Sequence, residues 1–426
     1  MHIYTVRSGD TLYAIANRFG TSVDRLTYDN QLSAPDRLSV GQALVIPVMS
    51  VSYRVRRGDT LYTVANAFQV PLASILAANP NITNPSRIYA GQTITIPLSG
   101  RWYGSLESNG YTYVSISDQT AAQTFPYLTY ISPFSWRTDE NGNLFSPGDG
   151  SIVSAAYPNG TAPLMTVTNI KATGGFSSAI AHSILTDAQA QDTFIENVEN
   201  ALSSGGYYGL NIDFEYIYPF DRNSYTQFFR RLTDRMHALG YPVSVAVAPK
   251  ISAGQQGTLY ESHDYAALGA IADKVIIMTY EWGYTYGPAM AVSPVNMVRR
   301  VLNYAVTEIP PGKILMGMPN YGYNWTLPFV KGTAAQVISN VSAVTLAGSV
   351  GAEIKFDTVS QAPYFNYYDA QGRQHEVWFE DARSIKAKLE LVAEYRLGGV
   401  SWWTVTQLFR TNFIVLESMY DVIKVV

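Results

Sequence analysis

The sequence predicts an α/β protein: a (β/α)8 barrel with a small α+β insertion between its seventh and eighth strands, preceded by two copies of a βααβ unit. Three observations lead there. A repeat fills the first hundred residues, eight strand-like runs alternate with helix-like stretches over the rest, and about 75 residues separate the last two runs, too many for a simple crossover. At about 150 residues per domain, 426 residues allow two or three domains and a sizeable core.

The repeat is read directly. Residues 4–19, YTVRSGDTLYAIANRF, return at 53–68 as YRVRRGDTLYTVANAF. Each copy closes on a second matching segment, Val40-Gly41-Gln42 before a run ending at Pro47 and Ala90-Gly91-Gln92 before a run ending at Pro97. A short alternating run precedes Gly-Asp-Thr-Leu, and Asp10 or Asp59 is placed to cap a helix with apolar residues at helical spacing. A second helix and a second alternating strand complete each unit, over residues 1–48 and 51–98.

From residue 100 the texture changes. Strands are expected at 102–106, 128–134, 163–169, 207–214, 242–248, 273–280, 313–319 and 397–403. Helical patterns between them include 187–204, 222–239, 264–272, 294–306 and 381–396, which fit a barrel spanning 100–426 better than an open sheet. Within the long seventh connection, 353–357, 364–368 and 376–379 read as antiparallel strands of an inserted lobe covering about 324–380.

The chemistry concentrates on the fourth expected strand, Tyr208-Gly209-Leu210-Asn211-Ile212-Asp213-Phe214-Glu215-Tyr216. Period-two geometry puts Asn211, Asp213 and Glu215 on one face and Leu210, Ile212 and Phe214 on the other. With the apolar face against the helices, the polar face looks into the barrel, and Glu215 reaches the C-terminal rim where barrel active sites lie. Successive same-face residues are about 6–7 Å apart, close enough for Asp213 to raise the pKa of Glu215, as a general acid requires.

These motifs resemble known families. The first hundred residues resemble two LysM modules, through the GDTL turn, Asn79-Pro80 and the Gly-Gln before the last strand; the first copy has Asn30-Gln31 in place of Asn-Pro. The resemblance implies binding of N-acetylglucosamine-containing glycans in a groove lined or flanked by Asp10, Thr11 and Leu12, and by Asp59, Thr60 and Leu61.

Residues 100–426 resemble glycoside hydrolase family 18, whose D-x-x-D-x-D-x-E signature appears here with Tyr208 and Asn211 in the two outer positions and with Asp213 and Glu215 kept. Gly317-Met318-Pro319-Asn320-Tyr321-Gly322 and Gly399-Val400-Ser401-Trp402-Trp403 match further family motifs, and Met278-Thr279-Tyr280-Glu281 stands where the family has Met-x-Tyr-Asp, with Glu in place of Asp. The Asn-x-Asp-Phe-Glu variant is similar to that of bacterial spore cortex-lytic enzymes. The resemblance implies a substrate-assisted retaining mechanism with Glu215, Asp213 and Tyr280 as catalytic residues. It also implies that Asn211, Glu281, Trp403, Asn320 and Tyr321 bind substrate.

The implied function is cleavage of spore peptidoglycan on the reducing side of N-acetylglucosamine. A chitinase, a vegetative-wall glucosaminidase and a non-catalytic glycan-binding lectin remain open alternatives. Other classes recede. Net charge is −4, split into +3 for residues 1–99 and −7 for the remainder, which offers no nucleic-acid footprint over the chain as a whole. The absence of Cys removes thiolate metal sites and Cys nucleophiles, and the five His are scattered without ligand spacing. No cofactor, metal, nucleic acid or membrane partner is expected, and the chain is expected to be a monomer. With no signal-peptide pattern at the N-terminus, residence in the spore follows from the resemblance.

Overall fold

The computed structural model describes residues 1–98 and 100–426. Each repeat folds as one small unit. In the first, strands His2–Thr5 and Ala43–Ile46 pair antiparallel around helices Leu12–Phe19 and Val23–Asp29. In the second, Ser50–Arg54 pairs with Thr93–Pro97 around Leu61–Phe68 and Leu72–Ala78. The expected helix spacing is met, with Leu12, Ile15, Ala16 and Phe19 buried in one copy and Leu61, Val64, Ala65 and Phe68 in the other.

The helix caps differ from expectation. Thr11 and Thr60, not the preceding aspartates, are the N-caps, each hydroxyl accepting a backbone N–H three residues on. Asp10 and Asp59 close the turn before the helix: their carboxylates accept from the hydroxyls of Tyr4 and Tyr53 and from the N–H of Arg7 and Arg56. Asn30 and Asn79 do equivalent work after the second helix. Each amide spans the loop, bonding the N–H and C=O of Val45 or of Thr95 on the closing strand. The modules pack on each other through an edge-to-face contact of Phe19 with Phe68 and through the Gln69 amide on both backbone groups of Thr5.

Eight parallel strands close into the barrel: Gly104–Tyr113, Tyr130–Phe134, Ala162–Thr168, Gly209–Asp213, Val243–Val247, Lys274–Ile277, Ile314–Pro319 and Gly399–Trp403. Each pairs with the next in this order, and the eighth pairs with the first. Helices Ala188–Gly205, Arg222–Ala238, Tyr265–Ile271, Val295–Glu308 and Ala382–Tyr395 follow the expected stretches, and the apolar sides of strands and helices form one large core.

The first strand is longer than expected and displaced toward the C-terminus. Its residues Ser108, Asn109 and Thr112 are polar yet wholly buried, on both faces of the strand, which breaks the apolar signature. Asn109 accepts from Ser132 on the second strand and donates to Ser401 on the eighth, tying three strands across the barrel. A short strand near the C-terminus, Tyr420–Val422, pairs with the beginning of the first strand at Gly104–Leu106.

The insertion is an antiparallel five-stranded sheet in the order Gln336–Ile338, Gly322–Leu327, Gln374–Trp378, Ala362–Tyr368, Lys355–Asp357, covered by helix Asn340–Val350. The first two of these strands were not expected. The lobe has its own core, in which Ala343 and Ala347 of the helix meet Phe365, Val377 and Phe379 of the sheet. Among the described residues no single helix is long and apolar enough to cross a membrane.

Candidate active site

The site is built from the C-terminal ends of strands one, two, four, six, seven and eight. Asp213 is the last residue of the fourth strand and Glu215 lies just beyond it; both face a groove of about 700 Å³ lined also by Tyr111, Phe134, Tyr280 and Trp403. Asp213 is 3% exposed, and its Oδ1 is buried without a hydrogen-bond partner. A buried, unpaired carboxyl is expensive to ionise. Burial accordingly raises the pKa of Asp213 to about 7. Burial raises Glu215 well above the carboxylate range, with further upward pressure from the charges of Asp213 and Glu281. Both carboxyls are thus held toward the protonated form, and two adjacent charges do not form together cheaply, so the pair favours one anion beside one acid.

The backbone under Glu215 is held from two sides. Asn169 donates to the Glu215 carbonyl at 2.8 Å and accepts from its N–H at 2.9 Å, a two-point clamp from the end of the third strand. His263 holds the Phe214 carbonyl at 3.0 Å through Nε2, while its Nδ1 accepts the N–H of Ala248. Burial lowers the His263 pKa to about 4, so the ring is neutral and its tautomer is fixed by these two bonds. Tyr216 and Glu281, which follow the fourth and sixth strands, both adopt left-handed backbone, at φ 55° and 66°. Such conformations are costly for residues with side chains and gather at functional rims.

Tyr280 is 8% exposed and makes no side-chain hydrogen bond among the described residues. Burial, then the charge of Tyr111 and those of the carboxyls, pushes its pKa well up, so the phenol remains a donor facing the groove. Trp403 sits edge-on to Phe134 at 4.8 Å and to Tyr111 at 5.4 Å, forming an aromatic floor. Its neighbour Trp402 points the other way, wholly buried and donating to Ser108, as strand alternation requires.

Beyond Trp403, Tyr113 and Glu281 the groove continues into a second lobe of about 490 Å³ between the barrel and the insertion, lined by Asn320, Tyr321, Tyr323, Val337, Ser339, Thr404, Thr406 and Gln407. The Glu281 carboxylate accepts from the hydroxyls of Tyr321 and Tyr323 there. Asn320 lines the lobe, but its amide is fully engaged: it donates to the carbonyls of Thr404 and Gln407 and accepts from Asn412.

Asn211 does not reach the groove. One step below Asp213 on the inward face, it is wholly buried, donating to the Tyr111 hydroxyl and accepting from Ser244. Its place is under the site, where direct contact with substrate is closed to it. In the N-terminal modules the Leu12 and Leu61 side chains lie in the core, and the Asp and Thr side chains of both GDTL turns are engaged within their own turns. Any ligand at these turns meets backbone and neighbouring side chains.

Asn169, Tyr111 and Tyr323 were missed in the sequence. Asn169 carried a usable signal, as the terminal polar residue of an expected strand. Tyr111 and Tyr323 lie on strands that were misplaced or unforeseen. Among the described residues no group of three or more His, Asp or Glu is placed to hold a metal ion.

A closed barrel with an inward Asp-x-Glu pair over an aromatic floor is a glycosidase arrangement, and the chain belongs to glycosyl hydrolases family 18, matched over residues 163–407, with LysM domains at 4–47 and 53–97. It is a glycoside hydrolase. It is 41% identical to the cortical fragment-lytic enzyme of Bacillus subtilis (strain 168), over 100% of this chain and 99% of that protein. The crystal structure of the spore cortex-lytic enzyme SleL of Bacillus megaterium QM B1551 superposes with a TM-score of 0.86 at 38% identity, covering 100% of this chain and 99% of that one. A chitinase from Chromobacterium violaceum matches at 25% identity and a TM-score of 0.68, over 74% of this chain and 98% of that one.

Proposed function

We propose that this chain is a peptidoglycan hydrolase of the bacterial spore cortex, a retaining N-acetylglucosaminidase that cleaves the β-1,4 bond on the reducing side of N-acetylglucosamine. The observation that carries the reading is the pair of buried Asp213 and half-buried Glu215 in one groove, both driven toward the protonated form, beside a phenol without a partner among the described residues. Glu215 gives its proton to the glycosidic oxygen as the bond to the anomeric carbon breaks. The oxygen of the sugar's own 2-acetamido group forms the new bond to that carbon. Asp213, as the anion, accepts from the acetamido N–H and balances the oxazolinium charge, while Tyr280 donates to the acetamido oxygen. Glu215, now a carboxylate, takes a proton from water, which opens the oxazolinium with net retention, an exception to the two-carboxylate scheme.

This chemistry selects the sugar. The unit whose anomeric carbon is attacked needs a free acetamido group, which N-acetylglucosamine has. Muramic-δ-lactam, whose amine is tied into a ring, lacks it. Residues 1–48 and 51–98 would supply glycan targeting and 100–426 catalysis, and the names of the similar Bacillus enzymes support spore cortex as substrate and the spore as location. The test is mass spectrometry of pre-cut cortex fragments treated with the unmutated protein and with Glu215→Gln. New reducing N-acetylglucosamine ends that vanish in the variant are expected. Reducing muramic ends would overturn the bond assignment, and cleavage of chitin oligomers alone would move the reading to chitinase.

A further inference from the structure

The two N-terminal modules share a fold but not a situation. The segment after the second helix of module one, residues 31–41, faces the catalytic domain across a shared cleft, whereas its counterpart in module two, residues 80–91, is exposed apart from the half-buried Ile82 and Ile88. Five contacts define the seam. The Gln31 amide donates to the Leu408 carbonyl at 3.1 Å and accepts from the Arg410 N–H at 2.7 Å, joining a backbone segment as a neighbouring strand would. The Arg410 guanidinium stacks 3.8 Å from the centre of the Tyr28 ring. The Ile354 N–H donates to the Val40 carbonyl at 2.9 Å, and Ser33 shares a hydrogen bond with Thr345.

The fit leaves no slack at two glycines. A Cβ on Gly41, at φ +83°, would fall 1.8 Å from the Ile354 oxygen, and one on Gly348 would fall 2.8 Å from the Arg37 oxygen. The equivalent glycine of module two, Gly91, meets nothing closer than an arginine side-chain atom at 3.8 Å. The departure of the first copy from Asn-Pro to Asn30-Gln31 now has a physical reason: proline has no side-chain amide, and Gln31 uses both ends of its own.

What the seam touches is the wall of the outer groove lobe. Leu408 and Arg410 directly follow Thr404, Thr406 and Gln407, which line that lobe, and Thr345, Gly348 and Ile354 belong to the helix and return segment behind Val337 and Ser339 on its other side. Ser339 is also the N-cap of that helix. We infer that module one is a positioning element of the catalytic domain, which holds both walls of the outer groove lobe in register for substrate and leaves module two as the free glycan-recruiting module. The inference rests on reading the groove as the substrate site.

The experiment uses the full chain with Gln31→Asn, which keeps a residue tolerant of left-handed backbone at φ 48° but shortens the amide's reach, and with Gly348→Leu, which raises intrinsic helix propensity while wedging the seam open. Pro80→Asn, at the matching place in module two, is the control. Hydrogen–deuterium exchange of peptides spanning 336–350 and 404–410 is expected to speed up about threefold or more in the two seam variants and not in the control. On soluble cortex fragments of a few sugars, KM is expected to rise about three- to tenfold with kcat nearly unchanged. Exchange in both peptides equal to that of the unmutated chain, in both variants, would overturn the inference, as would unchanged KM beside faster exchange. If the unmutated chain cuts no fragment at all, the enzyme reading fails, and the exchange arm still decides whether module one holds the walls.

Discussion

The aspartates of the two Gly-Asp turns and the carboxyl pair at the end of the fourth barrel strand are the same chemical groups in opposite settings. Asp10 and Asp59 each accept a tyrosine hydroxyl at 2.7 Å and a backbone N–H at 2.7–2.8 Å. Asp213 is buried with an oxygen that no group among the described residues satisfies. Leaving such a group unpaired costs about 1–3 kcal/mol, whereas a paired turn carboxylate stabilises its fold by about as much. The difference teaches where to look for chemistry: a carboxylate saturated by its own turn holds structure, and one starved of partners is free to exchange charge with a substrate.

The comparison is broken or sharpened most strongly at Glu215. Glu215→Gln should abolish proton donation and lower kcat by about 10³-fold or more on cortex fragments, with thermal stability unimpaired; turnover within tenfold of the unmutated chain would place the acid elsewhere. Asp213→Asn should lower kcat about 10²-fold and change how stability depends on pH. Because its folded pKa is raised, to about 7 from an ordinary 3.8, the stability it contributes is present in full below about 3.8 and lost as pH rises through about 7. The variant should therefore show a flatter fall of Tm between those values, and an unchanged slope in calorimetry would show that Asp213 does not carry it.

A smaller effect is expected at the clamp. Asn169→Ala frees the backbone of Glu215 and should lower kcat about tenfold with little change in KM, read from steady-state kinetics. An equal fall in soluble, folded protein with normal kcat would mean that Asn169 only stabilises. Least of all, Asp59→Ala should cost the second module about 1–2 kcal/mol, seen as an earlier shoulder in the melting curve, by removing the acceptor of Tyr53 and Arg56.

The parts legible in the sequence are those where one periodicity dominates. Seven barrel strands and their helices follow from β-branched runs and amphipathic spacing, and the inward Asp213 and Glu215 follow from alternation alone. The first strand was shifted because Ser108, Asn109 and Thr112 put polar groups where apolar ones are anticipated, their cost removed by hydrogen bonds to residues as distant as Ser401. The lobe strand Gly322–Leu327 was missed because its buried Asn324 and Trp325 satisfy their polar atoms through Tyr367 and the Gly287 carbonyl, partners that sequence order does not bring together. The same holds for Asn169, whose role exists only once the third and fourth strands lie side by side. At Asn211 the alternation was right about direction and silent about depth.

The pairing of Tyr420–Val422 with the start of the first strand has a consequence for synthesis. The first barrel strand pairs with the second and eighth strands and, at its start, with residues 420–422, and Thr129 beside it donates to Ile423, 294 positions later. A growing chain in which residues 399–423 have not yet emerged holds a barrel that cannot close, with Trp403 not yet set against Tyr111 and Phe134. The two carboxyls of the site are thus made long before the strand that completes the wall around them.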